Sequence, residues 1–138
     1  MLADQQCVPC RGGVPPLERE QIAPLLVQLE PGWEAVRYHH LRRTYKLKDF
    51  KSALAFVDRI GATAEEQGHH PDLQLAWGTV VVEIWTHKID GLTESDFVFA
   101  AKCDSTRARS RGRAPPPFHP RRPSDRTRRA YCRGARCG

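Results

Sequence analysis

Two stretches of alternating residues set the tightest limit on what this chain can fold into. Leu41, Arg43, Tyr45 and Leu47 share one face of the segment 41–47, and Arg42, Thr44 and Lys46 share the other. In 79–86, Val80, Val82 and Ile84 face one way, and Val81, Glu83 and Trp85 the other. Strands whose two faces differ this much belong to a sheet covered on one side, so the same chain must supply the cover. The segment from Phe50 to about Gln67 can do this. Asp49 is its N-cap and Gly68 its C′ residue, and the expected buried face is Phe50, Leu54, Val57, Ile60, Gly61 and Ala64.

The remaining elements follow from local signals. Pro15-Pro16 open a first helix, with Leu17, Ile22, Leu25, Leu26 and Leu29 as its stripe, a bend at Pro24 and a stop at Pro31-Gly32. Trp33 to Tyr38 is a strand joined to 41–47 by a turn at His39-His40, which is either a polar hairpin tip or a binding pair. Leu73 to Trp77 and Thr79 to Thr86 are two strands separated at Gly78, or one long bent strand. After a turn at Asp90-Gly91, Thr93-x-x-Asp96 forms a capping box for a last helix, Glu94 to about Asp104, with Phe97, Ala100 and Ala101 on its apolar side. The order is α-β-β-α-β-β-α, an α+β fold with a four-stranded antiparallel sheet.

Charge divides the chain. Eleven of the 22 Lys+Arg are arginines in 105–138, which hold one acidic residue, Asp125; residues 1–104 keep 11 basic against 15 acidic groups, a net of −4. The body gives no reason to expect nucleic acid. The tail has no Val, Leu, Ile or Met and is expected to be disordered, either an arginine-rich arm or a weakly constrained extension. Residues 1–14 read as a loose arm before a single domain, 15–104. In the arm, Cys7-Val-Pro-Cys10 has metal-knuckle spacing. The other close cysteine pair is Cys132 and Cys137, and the alternative to a zinc site is free thiols. Five cysteines without an apolar leader point to a reducing cytoplasm, and no apolar run approaches a membrane span.

Chemistry concentrates between Glu65 and Asp96. Three of the six histidines, His69, His70 and His87, fall there with Glu65, Trp77 and Asp96. Imidazole changes charge nearest neutrality, which suits proton transfer. Each residue also has a plainer reading: Glu65 as a solvated helix carboxylate, His70 as a loop histidine before Pro71, Trp77 as core, Asp96 as a cap and His87 as a strand-end histidine. Three histidines could also ligate zinc.

The spacing Glu65-x3-His69-His70-Pro71-x5-Trp77-x9-His87-x8-Asp96 resembles the signature of the pterin-4a-carbinolamine dehydratases, over roughly residues 15–104. The resemblance includes Pro31-Gly32-Trp33 and Gly91-Leu92-Thr93-Glu94-x-Asp96-Phe97. It implies a four-stranded antiparallel sheet with three helices on one face. It implies dehydration of the 4a-hydroxy adduct left by aromatic amino-acid hydroxylation, without metal or organic cofactor. His69, His70, His87 and Glu65 are then the catalytic set, with His69 and His87 for proton transfer and Glu65 orienting the histidines. His70, Trp77 and Asp96 contact the pterin. The implied partners are the pterin substrate, a second copy of the chain in a homodimer or tetramer, and a functional link to an aromatic amino-acid hydroxylase. Relatives that act as transcription dimerisation cofactors or Rubisco assembly factors supply the alternative of a non-catalytic binding protein. Three positions depart from the family pattern: Gly68, often acidic or amide; Leu73, often Trp; and Ser95, often basic.

Overall fold

A computed structural model describes residues 1–8 and 13–110 of the chain. Its main elements run α1 (Arg19–Val27), β1 (Glu34–Val36), β2 (His40–Lys46), α2 (Phe50–Gln67), β3 (Asp72–Ala76), β4 (Thr79–Ile84) and α3 (Glu94–Ser110). The four strands make one antiparallel sheet in the order β1-β2-β4-β3. The register Leu41↔Ile84, Arg43↔Val82 and Tyr45↔Val80 puts the expected faces side by side. Leu41, Tyr45, Val80, Val82 and Ile84 are buried beneath the helices with Phe56, Ile60, Phe97 and Phe99. The α+β fold and its element order stand as expected. Among the described residues no helix is long and apolar enough to cross a membrane.

Several boundaries move for local reasons. The first helix starts at Arg19 rather than at the prolines, because Gln21 reaches back and its Oε1 accepts the Glu18 N–H at 2.9 Å. β1 stops at Val36, since Arg37 and Tyr38 take left-handed φ values of 51° and 56° and turn the chain there, before the histidine pair. His40 is therefore the first residue of β2, paired with Val36. The β3–β4 connection is a two-residue turn, Trp77-Gly78, with Gly78 at φ 61°. A Cβ there would meet the Leu47 carbonyl oxygen at 2.9 Å.

Helix α2 keeps its predicted ends. The Asp49 carboxylate accepts the Ser52 N–H at 2.7 Å and Gly68 closes the helix at φ 61°. Its buried face agrees with the expected one only in part. Ile60 and Ala64 are buried as expected, but Ala53 and Phe56 complete the face, while Phe50 and Leu54 are exposed. The sequence carries two apolar stripes, and the core takes the one that sets Phe56 against Tyr45, ring centroids 4.8 Å apart.

The ends of the domain are longer than expected. Helix α3 continues to Ser110, past the expected end near Asp104, because Asp104 faces inward. It accepts hydrogen bonds from Trp33 Nε1 (2.9 Å), Tyr45 Oη (2.6 Å) and Arg43 Nη1 (2.6 Å). Burial pushes the Asp104 carboxyl up from its ordinary pKa, and those three donors oppose the shift. At the other end, residues 1–8 are packed rather than loose. Leu2–Asp4 form a short 3₁₀ turn against α3, and Leu2 and Cys7 join the core. The rest of the basic tail, with Cys10, Cys132 and Cys137, lies outside the described residues.

Candidate active site

The site forms where α2 ends, β4 ends and α3 begins. Asp96 lies in the first turn of α3 and is fully buried. Its Oδ2 accepts the Thr93 N–H at 2.7 Å, the reach-back half of a capping box. The same oxygen accepts from the Thr86 hydroxyl at 3.0 Å and the Thr93 hydroxyl at 3.2 Å. Its Oδ1 takes the ring N–H of His69, Nε2 to Oδ1 2.7 Å. The cap reading of Asp96 therefore holds, while its other oxygen takes up an imidazole; with both oxygens engaged and the side chain fully buried, the expected pterin contact of Asp96 is not open to it.

His69 arrives at this carboxylate because Gly68 ends α2 in the left-handed region and turns the chain inward. The His69 N–H then bonds the Ala64 carbonyl at 3.2 Å, and the ring stands edge-on to Phe99 at 5.7 Å. The position of Gly68 needs a positive φ, a conformation that acidic and amide residues also adopt more readily than most. With Nε2–H committed to Asp96, Nδ1 is the nitrogen that His69 offers to a ligand. His69 is only 7% exposed, so its ring is largely closed off from bulk water.

His70 turns the other way. Its Nε2 pairs with Glu65 Oε1 at 2.8 Å, one helical turn back along α2, and both side chains are exposed. His87 follows Thr86 directly and lies in a one-turn 3₁₀ segment, His87–Ile89, that ends at Asp90. Thr86 and Gly91 close this loop as an isolated bridge, with Thr86 N–H to Gly91 O at 2.9 Å. His69 is therefore linked to the His87 segment through Asp96 and Thr86. Among the described residues, the His87 ring packs against Trp85, centroids 4.3 Å apart, and not against His69 or His70.

Trp77 is not brought to this site. It sits at the tip of the β3–β4 hairpin, 74% exposed. The length of β3, about 17 Å at ~3.3 Å per residue, separates it from the histidine pair. Neither the core nor the pterin-contact reading fits that position within one chain. Leu73 and Ser95 have structural roles. Leu73 pairs with Val82 and packs on the core. Ser95 anchors the N-terminal arm: its Oγ accepts the Val8 N–H at 3.1 Å and donates to the Val8 carbonyl at 3.2 Å, and its own carbonyl accepts from Cys7 Sγ. The Cys7 N–H also reaches Gln67 Oε1 at 3.1 Å, so the arm lies across the junction of α2 and α3, behind the site.

Sequence reasoning missed Thr86 as a member of the Asp96 network, although its place just before His87 pointed there. It also missed Trp85 as the contact of His87. Among the described residues no group of three or more His, Cys, Asp or Glu side chains is arranged to hold a metal ion.

Comparison with known proteins agrees with this fold. Residues 15–106 match the family model described as pterin 4 alpha carbinolamine dehydratase. A Rubrobacter xylanophilus protein provisionally named a pterin-4-alpha-carbinolamine dehydratase is 59% identical over 103 residues, covering 75% of this chain and 95% of its own. A Methylococcus capsulatus protein with the same provisional name is 45% identical over 108 residues, covering 78% and 94%. Among solved structures, one titled transcriptional coactivator/pterin dehydratase from Brucella melitensis superposes with a TM-score of 0.62 at 32% identity, covering 66% of this chain and 97% of its own.

Proposed function

The chain belongs to the pterin 4 alpha carbinolamine dehydratase family, and from that premise we propose that it dehydrates 4a-hydroxytetrahydropterins to quinonoid dihydropterins. The observation that carries the proposal is the buried His69–Asp96 pair, tied through Thr86 to the segment bearing His87.

The reaction needs two proton movements. The C4a–O bond breaks as the departing hydroxyl takes a proton and leaves as water. The N5–H bond gives up its proton, and its electron pair becomes the C4a=N5 double bond. One acid and one base, each near its working protonation state at neutral pH, supply both movements. His69 and His87 carry these roles. The Asp96 carboxylate keeps the His69 proton on Nε2 and directs Nδ1 at the substrate. The exposed His70–Glu65 pair binds the polar edge of the pterin, with Glu65 orienting the imidazole. The substrate is the adduct that an aromatic amino-acid hydroxylase releases.

The test is turnover of 4a-hydroxytetrahydropterin generated in the assay. His69→Ala and His87→Ala are each expected to lose about 10²–10⁴-fold, with His87→Ala leaving the thermal midpoint nearly unchanged because His87 is exposed. Near-wild-type turnover in both variants overturns the assignment.

A further inference from the structure

His39 and His40, which the proposed reaction does not use, lie beside Trp85 and the His87 turn. The His39 and His40 rings each lie 5.8 Å from Trp85, whose ring packs on His87 at 4.3 Å. His39 Nε2 meets Asp90 Oδ1 at 2.8 Å. Asp90 is the residue that ends the His87 turn, its N–H on the His87 carbonyl at 3.3 Å. His39 therefore touches both flanks of His87: Trp85, two residues before it, and Asp90, three residues after.

The hydrogen-bond chemistry fixes the direction of this contact. The Asp90 carboxylate accepts, so His39 Nε2 carries a proton. In the neutral ring Nδ1 is then an acceptor, and His40 Nδ1, 3.1 Å away, donates to it. His40 opens β2 beside Glu83, whose Oε1 lies 3.9 Å from His40 Nε2, beyond hydrogen-bond reach, and 3.5 Å from Arg42 Nε. The left-handed pair Arg37-Tyr38 ends the β1–β2 hairpin just before His39 and so delivers the two rings to the end of β4.

We propose that His39 is a positioning residue, which through Asp90 and Trp85 holds the turn that carries His87. The inference rests on the reading of His87 as a proton-transfer group. Without the clamp, a 3₁₀ turn of three residues whose His87 and Asp90 side chains are exposed has the Thr86–Gly91 bridge to set its angle. Small misplacements of a reacting group lower rate steeply while leaving substrate affinity intact.

The experiment compares His39→Ala, His39→Gln and Asp90→Ala in the full chain by two readouts. The first is the proton NMR position of the His87 imidazole, which the Trp85 ring current displaces; the His87→Ala spectrum assigns it. The second is turnover on 4a-hydroxytetrahydropterin. His39→Ala and Asp90→Ala are each expected to move the His87 resonances toward those of a free imidazole. Each is expected to lower kcat about tenfold with KM within about twofold. His39→Gln keeps an N–H donor toward Asp90 and is expected to retain most of both signals. The double variant His39→Ala/Asp90→Ala is expected to behave like either single one, because the pair acts as one link. His87 resonances that stay in place in Asp90→Ala and His39→Ala overturn the clamp. Resonances that move without any change in kcat overturn its part in the reaction. If the wild-type chain has no dehydratase activity, the proposed function fails, yet the NMR comparison still decides whether His39 holds the turn.

Discussion

Asp96→Asn separates the two tasks of the buried carboxylate. The fixed donor in the network is the Thr93 backbone N–H, which has no tautomer to change. The single amide oxygen of asparagine is therefore expected to stay on Thr93, placing the NH₂ group against His69 Nε2. That nitrogen must then accept, which moves the ring proton to Nδ1, the atom that the proposed reaction turns toward the substrate. The stability loss is that of one hydrogen bond to a charged group, about 1.5–3 kcal/mol. For a domain of this size that is of order 10 °C in thermal midpoint. Asp96→Ala is the contrast. The Thr86 hydroxyl can turn to Thr93, 3.1 Å away, but the Thr93 N–H and the His69 ring N–H lose their acceptor. Two stranded buried donors cost about 2–6 kcal/mol together, a large part of a domain's ~5–15 kcal/mol. Turnover of Asp96→Asn is expected to fall about 10²–10⁴-fold in a protein that still unfolds cooperatively. The ¹⁵N shifts of His69 report which ring nitrogen is protonated. A folded Asp96→Asn protein with wild-type turnover, or with the His69 proton still on Nε2, refutes the reasoning.

Two further outcomes are accessible. Burial lowers the His40 pKa below its ordinary 6.5, with His39, Arg42 and Arg37 adding to the effect and Glu83 opposing it. The unfolded chain then binds the extra proton just below pH 6.5, so this residue's contribution to stability is lost as pH falls through that window; His40→Gln is expected to flatten the thermal midpoint's dependence on pH there. Ending the chain at Asp104 removes Arg107, which donates to the Lys46 carbonyl, and puts a terminal carboxylate beside Asp104. That truncation is expected to lower the midpoint by several degrees, while one ending at Ser110 leaves midpoint and turnover unchanged; equal midpoints for the two refute the structural role of 105–110.

What could be read from the sequence depended on the range of the interaction involved. Asp49 and Gly68 announce the ends of α2 because a cap is satisfied within three or four residues. The two faces of β2 and β4 are legible because period two is unambiguous over six residues. The side of α2 that is buried was legible only at Ile60 and Ala64, since Phe50/Leu54 and Ala53/Phe56 continue that face equally well until Tyr45 chooses Phe56. The packing of the N-terminal arm depends on Ser95 and Gln67, 87 and 60 positions away. In the site, Glu65, His69, His70 and Asp96 came singly from a matched spacing, and the structure shows which carboxylate serves which ring. The position of Trp77 was misjudged because a hairpin turn, not a strand, occupies that part of the spacing. The link from His39 and Trp85 to His87 was not legible because the contact that unites them spans two hairpins.

The shared use of Asp96 bears on how such a site can decay over evolutionary time. If a descendant of this chain no longer needed its chemistry, drift could replace exposed His70 and His87 freely, since little of the fold rests on them. Asp96 is under a separate constraint, because the first turn of α3 and the loop from Thr86 to Thr93 are bonded to it. The expected fossil is therefore asymmetric: the exposed histidines eroded first, with the aspartate that holds His69 persisting as an architectural residue.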